Sequence, residues 1–135
     1  MSLHGTKHLE TERLYLRPVS VKDAEILHTE ILGNKERLYY LDWNYSADIN
    51  ATKAFVENII SNYQKEFFFF WLIEEKLTRN FIGCVMVCNS DIKRRLAEIE
   101  YVAGEKAQGH GYITEALKRV IQYLIQEIGY YRIEG

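Results

Sequence analysis

Gln108-Gly109-His110-Gly111-Tyr112-Ile113-Thr114 is the stretch of this chain whose residue types and spacing best fit a binding task. Two glycines stand one residue apart just before a run with helical periodicity, so several backbone N–H groups at the helix amino end are left uncovered by side chains. Those groups and the positive end of the helix dipole together attract an anion, a pyrophosphate among them. Spacing alone leaves a second reading open, because Gly-x-Gly also serves ordinary strand-to-helix turns. A second pair of residues could do chemistry. Glu98 and Glu100 are two apart in an extended segment and face one side of it, where either could take a proton from a nucleophile, directly or through water. Both equally fit the solvated side of a half-exposed strand. Two phosphate motifs are excluded: Thr114 stands where a dinucleotide fingerprint needs its third glycine, and no lysine follows the glycines as a P-loop requires.

The glycine loop must be held by the elements on either side of it. After Gly111, Leu117, Val120, Ile121, Leu124, Ile125 and Ile128 recur with a 3.6-residue period, opposite Lys118, Arg119, Gln122, Gln126 and Glu127, and Gly129 is placed to stop the helix. Upstream, Leu9 to Arg17 reads as a first strand ended by Pro18. Ser20 opens a helix with Asp23 three residues on, and Ala24, Leu27 and Ile31 form its inner face up to Gly33-Asn34. Lys35 to Asn50, dense in aromatics from Leu38 to Tyr45, reads as a short helix and a loop that could line a cleft or fill a core. A helix from Asn50 to Lys65 follows, with Ala51, Ala54, Phe55, Ile59 and Tyr63 inward. Phe67 to Glu75, Phe81 to Asn89 and Arg95 to Val102 form a three-stranded meander, with Gly83 marking a bulge or a close approach. Tyr130 to Ile133 begins a last strand, parallel to the fourth. The order is β-α-α-β-β-β-α-β, an α+β fold with a mixed sheet in one domain, residues 1–135.

With 135 residues, 47% of them hydrophobic and 27% charged, and a single proline, the chain is expected to form one globular unit. Its net charge of −2, without a basic stripe, argues against nucleic acid as a partner. Phe67 to Ile73 is the longest apolar run and too short to span a membrane, and no charged-then-apolar pattern opens the chain, so a cytoplasmic location is expected. Cys84 and Cys88 lie about 13 Å apart along one strand, too far to pair, and are read as small buried hydrophobes with no metal site around them.

The same residues resemble the GNAT acyltransferases, and among them the Rim-type enzymes that acetylate N-terminal amines of ribosomal proteins. Gln108-Gly109-His110-Gly111-Tyr112-Ile113 is similar to that family's Q/R-x-x-G-x-G/A motif, except that Ile113 stands where glycine or alanine is usual. Leu9-Glu10-Thr11-Glu12-Arg13-Leu14, Leu16-Arg17-Pro18, Ile82-Gly83, Ala97-Glu98-Ile99 with Tyr101, and Gly111 to Ala116 extend the likeness over most of the chain. It implies a GNAT-like sheet, acetyl-coenzyme A as cosubstrate without a metal, and an amine acceptor, either a peptide N-terminus or a small molecule. Pantetheine would lie along Tyr101, Val102 and Ala103, with the pyrophosphate on Gln108 to Ile113. The Val102 N–H would steady the thioester oxygen, and Glu98 or Glu100 would act as base. His110, at a variable motif position, reads as a phosphate-side or solvent residue, Ile113 as pointing into the core, and Thr114 as a phosphate donor or a helix cap.

Two departures qualify the resemblance. Glu100 stands where the subgroup often has glycine. The family continues past its fifth strand with a helix and two strands, which carry a tyrosine acid and one wall of the acceptor site, and these 135 residues stop before them. That makes an oligomer through the exposed carboxyl-terminal edge, or a fragment with weak or no catalysis, the expectation. The alternative to an N-acetyltransferase is a catalytically silent domain that keeps the fold and acts through coenzyme A or protein contacts.

Overall fold

Phe69, Trp71 and Ile73 turn to one side of their strand and Phe70, Leu72 and Glu74 to the other, and all six are buried. A strand covered on both faces needs no polar alternation, which is why the run Phe67 to Ile73 reads as continuously apolar. It is the centre of a three-layer arrangement. The structure is a computed structural model that describes residues 5–35 and 48–135. The aromatic segment from Leu38 to Tyr45 lies outside the described residues.

Among the described residues, six strands form one sheet in chain order: β1 (Leu9–Glu10), β2 (Leu14–Arg17), β3 (Phe70–Glu75), β4 (Phe81–Asp91), β5 (Leu96–Ala103) and β6 (Arg132–Glu134). Neighbours are antiparallel except β5 and β6, which run parallel from Leu96↔Arg132 to Glu98↔Glu134. One face carries α1 (Ala24–Leu27, entered by a 3-10 turn at Val21–Asp23 and continued by a π-turn at His28–Leu32) and α2 (Ile49–Asn62). The other face carries α3 (Tyr112–Tyr123), which continues as a π-turn over Leu124–Ile128. The α+β class, the meander and the parallel last strand agree with the sequence.

Several boundaries differ, each for a local reason. The expected first strand is two strands, paired as Leu9↔Leu16 and Glu10↔Tyr15. Thr11 turns the chain: its N–H donates to the Leu14 carbonyl (3.0 Å) and its Oγ1 accepts from the Leu14 N–H (3.0 Å). Helix α2 starts earlier, at Ile49, because the Asp48 carboxylate caps the Asn50 N–H (2.9 Å). Its inward residues are therefore Thr52, Val56 and Ile59, while Ala51 and Ala54 are exposed. On α3 the buried face is Tyr112, Ala116, Val120, Tyr123 and Leu124, and Ile125 is 45% exposed. The face turned to the sheet is centred on Ala116 and Val120, and Ile125, nine residues past Ala116, falls on the opposite side of the helix. Gly129 ends it at φ 97°, its N–H on the Leu124 carbonyl, as expected of a helix stop. Cys84 is buried, but Cys88 is exposed: it is the extra residue where the β4–β5 register slips between Val87↔Ile99 and Asn89↔Glu98.

Between β2, β3 and the turn into α1 lies a buried ionic cluster that the hydrophobic pattern does not reveal. Arg17 holds both oxygens of Asp23 (2.8 and 2.9 Å) and reaches Glu74 Oε1 (3.3 Å), the oxygen that Arg79 also meets (2.8 Å). Asp23 also accepts from the Ser20 N–H (2.8 Å), so one carboxylate fixes both the strand end and the helix entry. Burial alone would raise the Asp23 carboxyl, but the bonds from Arg17 and Ser20 outweigh it and hold the group below its ordinary value near 3.8. The stabilisation is thus present above that value and lost as pH falls through the lower, folded-state one. Asp23→Asn should cost about 3 kcal/mol in urea unfolding at neutral pH, because it leaves Arg17 short of a buried partner. The difference from the parent should stay level above about pH 5 and shrink below about pH 4; a difference that does not change with pH would contradict this account.

Candidate functional site

β5 leads into α3 through Gly104, a 3-10 turn at Glu105–Ala107, and Gln108 to Gly111. Glu30, carried by the π-turn after α1, accepts the Glu105 N–H (2.9 Å) and so fixes where this connection leaves the sheet. Gly109 and Gly111 both have left-handed backbones, at φ 78° and 71°, a conformation that residues with a Cβ adopt only at a cost. Gly111 is the amino cap of α3, and its carbonyl accepts the first helical bond, from Glu115 N–H (3.1 Å). The N–H groups of Tyr112, Ile113 and Thr114 precede that bond and have no hydrogen-bond partner among the described residues. Gln108, Gly109, His110 and Gly111 are all exposed. The Gly-x-Gly spacing therefore produces a short, open arc of amides at the positive end of a 12-residue helix.

The side chains of the stretch divide. Ile113 packs against the core, as its branched shape suggests. Tyr112 is buried too: its hydroxyl donates to Glu75 (2.7 Å) and the His110 ring stacks on it at 5.1 Å. Among the Tyr112 groups, the N–H is the one placed at the helix end. Thr114 sits in the first turn and not at the cap, which Gly111 takes, so the capping role is excluded. Sequence reasoning missed Arg13 and Glu115. Glu115 accepts from Thr11 Oγ1, from the Arg13 N–H (3.0 Å) and from Arg13 Nε (2.7 Å), tying α3 to the β1–β2 turn. Burial would raise this carboxyl, but the bonds from Thr11 and Arg13 hold it below the usual range. Arg13 was placed only within an expected strand from Leu9 to Arg17, and Glu115 only in the opening of the helix, so nothing local joined them.

Along β5, Tyr101, Val102 and Ala103 pair with β4 on one side, opposite Val85, Cys84 and Gly83. On the other side β6 pairs in parallel with Leu96 to Glu98. Gly83 permits the approach of β4: a Cβ there would stand 2.3 Å from the Val102 carbonyl oxygen. The β3–β4 register also slips between Ile73 and Glu74, so Gly83 marks both a bulge and a close contact. Glu98 and Glu100 share a face with Val102, the face turned toward α1 and α2. Glu98 is exposed, accepts from Asn89 (3.3 Å) and lines an open cavity of about 580 Å³ with Asn89, Asp91, Leu96 and Glu134. Glu100 is half-buried and two residues nearer the glycine loop. Cys88 Sγ lies 3.8 Å from Glu98 Oε1, and burial followed by Glu100 and Glu98 pushes its thiol up, so it stays protonated. Among the described residues, no three His, Cys, Asp or Glu side chains gather as a metal-ligand set, and no helix is long and apolar enough to cross a membrane.

Comparison with known proteins agrees with this geometry. The profile of the family described as Acetyltransferase (GNAT) domain matches residues 13–135. The uncharacterized N-acetyltransferase YoaA of Bacillus subtilis (strain 168) is 28% identical over 125 residues, which cover 93% of this chain and 70% of YoaA. The putative ribosomal N-acetyltransferase YdaF of the same organism is 30% identical over 125 residues, 90% of this chain and 67% of YdaF. The fold superimposes with a TM-score of 0.82 on RimL, a ribosomal L7/L12 alpha-N-protein acetyltransferase solved in complex with coenzyme A, at 22% identity over 94% of this chain and 72% of RimL.

The two glycine positions separate conformation from contact. Gly109→Ala meets open space and should cost about 1 kcal/mol through its left-handed backbone alone. Gly83→Ala must displace the Val102 carbonyl and should cost about 2–3 kcal/mol. Thermal melts of the two variants should rank in that order; equal melts would mean that β4 and β5 are not in close contact at Gly83.

Proposed function

The chain belongs to the GNAT acetyltransferase family, and we propose that it transfers an acetyl group from acetyl-coenzyme A to a primary amine, a peptide N-terminus or a small amine. The observation that carries this reading is the arc of partnerless N–H groups at the start of α3, on the short connection that follows β5. The pyrophosphate of the cosubstrate rests on Gln108 to Thr114 through backbone N–H groups, with pantetheine along the backbone of Tyr101, Val102 and Ala103. This puts the thioester beside the middle of β5. That RimL has been solved with coenzyme A supports the assignment of the ligand.

Attack on the thioester requires a neutral amine. The amine nitrogen bonds to the carbonyl carbon, its proton passes to a carboxylate, and the C–S bond breaks to release a thiolate that takes up a proton. Of the two carboxylates, Glu100 is the base: it is half-buried and adjoins Tyr101, whereas Glu98 is exposed. The N–H near Val102 steadies the thioester oxygen as charge develops on it.

Two measurements test the reading. Acetyl-coenzyme A should raise the melting temperature, and thiol should be released once an amine peptide or small amine is added. Glu100→Gln should lower kcat about 100-fold or more while leaving acetyl-coenzyme A affinity unchanged, and Glu98→Gln should have an effect of about threefold or less. Binding without thiol release for any amine would make this a catalytically silent domain. A larger loss for Glu98→Gln would move the base two residues along the strand.

A further inference from the structure

Arg13 stands at the amino end of α3 with half of its guanidinium engaged. Its Nε bonds Glu115 (2.7 Å), and its Cζ lies 4.4 Å from the centre of the Tyr112 ring. Neither Nη atom has a hydrogen-bond partner among the described residues. One of them, Nη2, comes within 3.9 Å of the point where a Cβ on Gly111 would stand. The side chain is 42% exposed, and this outer edge lies beside Gly111, the amino cap of α3.

We propose that Arg13 is the charged half of the phosphate seat, its Nη edge pairing with phosphate oxygens of coenzyme A across from the N–H groups of Tyr112, Ile113 and Thr114. The proposal rests on the coenzyme A reading above. A guanidinium presents two parallel N–H groups that match two phosphate oxygens, which a backbone arc alone does not supply. The fork is also preset. Glu115 is fixed by Thr11 and by the Arg13 N–H, and the Tyr112 ring is fixed by Glu75, so Arg13 is positioned before any ligand arrives. Little side-chain freedom remains to be lost on binding. Glu115 balances the charge of Arg13 from the Nε side, Glu12 adjoins it in sequence, and Glu75 lies beyond Tyr112. The anion therefore meets the one edge of the guanidinium that no described carboxylate occupies.

The alternative is a purely structural Arg13, and the two roles differ in which ligands respond. Affinities of wild-type protein, Arg13→Gln and Arg13→Lys are measured by calorimetry for coenzyme A, for acetyl-pantetheine, which has no phosphate, and for inorganic pyrophosphate. Arg13→Gln should weaken coenzyme A about 10- to 100-fold, as expected for lost charged hydrogen bonds, and weaken pyrophosphate in parallel. Acetyl-pantetheine should change by less than about twofold, since it does not reach the fork. Arg13→Lys keeps a cation and an apolar stem against Tyr112 but not the fork, so it should fall between, which preserves the test if the glutamine variant does not fold. Equal losses for coenzyme A and acetyl-pantetheine, or no loss for either variant, would overturn the proposal. Wild-type protein that binds pyrophosphate through Arg13 but not coenzyme A would sustain the clamp and remove the coenzyme A reading. Coenzyme A binding that ignores Arg13 would do the reverse.

Discussion

Glu115 accepts three hydrogen bonds at once, from Thr11 Oγ1, the Arg13 N–H and Arg13 Nε, and so joins the first turn of α3 to the turn between β1 and β2. The direction of the helix dipole, and with it the aim of the amides at Tyr112 to Thr114, is set by this joint. It is a carboxylate in the first turn of a helix, where the dipole favours negative charge, and it is partly sheltered from solvent, where charged hydrogen bonds hold best. The buried face of α3 at Ala116, Val120 and Tyr123 fixes the helix on the sheet, and the Glu115 joint adds a polar tie at its amino end.

The remaining architecture holds the other side of the same junction. β3, buried on both faces, fixes the middle of the sheet; β4 packs against β5 closely enough that Gly83 admits no side chain. Glu30 reaches from the helical layer on the opposite face to the Glu105 N–H, just past the end of β5. The loop is therefore held from α1, from the β1–β2 turn and from β5. Pre-positioning of this kind suits a site that must bind an anion with backbone groups, because a loop that has already lost its freedom does not have to be ordered by the ligand.

What the sequence made legible follows from how local each signal is. Gly109 and Gly111 announced a left-handed turn, and the run from Leu117 to Leu124 announced a helix, because both depend on residues within one or two turns of each other. The phase of α3 was harder to read: its inward face is centred on Ala116 and Val120 with Tyr112 and Tyr123, so small and aromatic residues are buried where the aliphatic stripe pointed to Leu117, Ile121 and Ile125. The split of the first strand was hidden in Thr11, whose hydroxyl closes the turn where an extended run was expected. Arg13, Glu115, Glu30 and the Arg17–Asp23–Glu74–Arg79 cluster were illegible for a different reason. Each joins positions far apart in the chain, and a charged residue read alone looks like surface.

The central claim is that the N–H groups from Gly109 to Thr114 face an anionic cofactor. Its most direct test is an amide NMR titration of the isotopically labelled protein with acetyl-coenzyme A. The account predicts that the largest downfield N–H shifts fall within Gly109 to Thr114, with smaller ones along Tyr101 to Ala103. Shifts that leave this stretch untouched and gather elsewhere on the protein would contradict it.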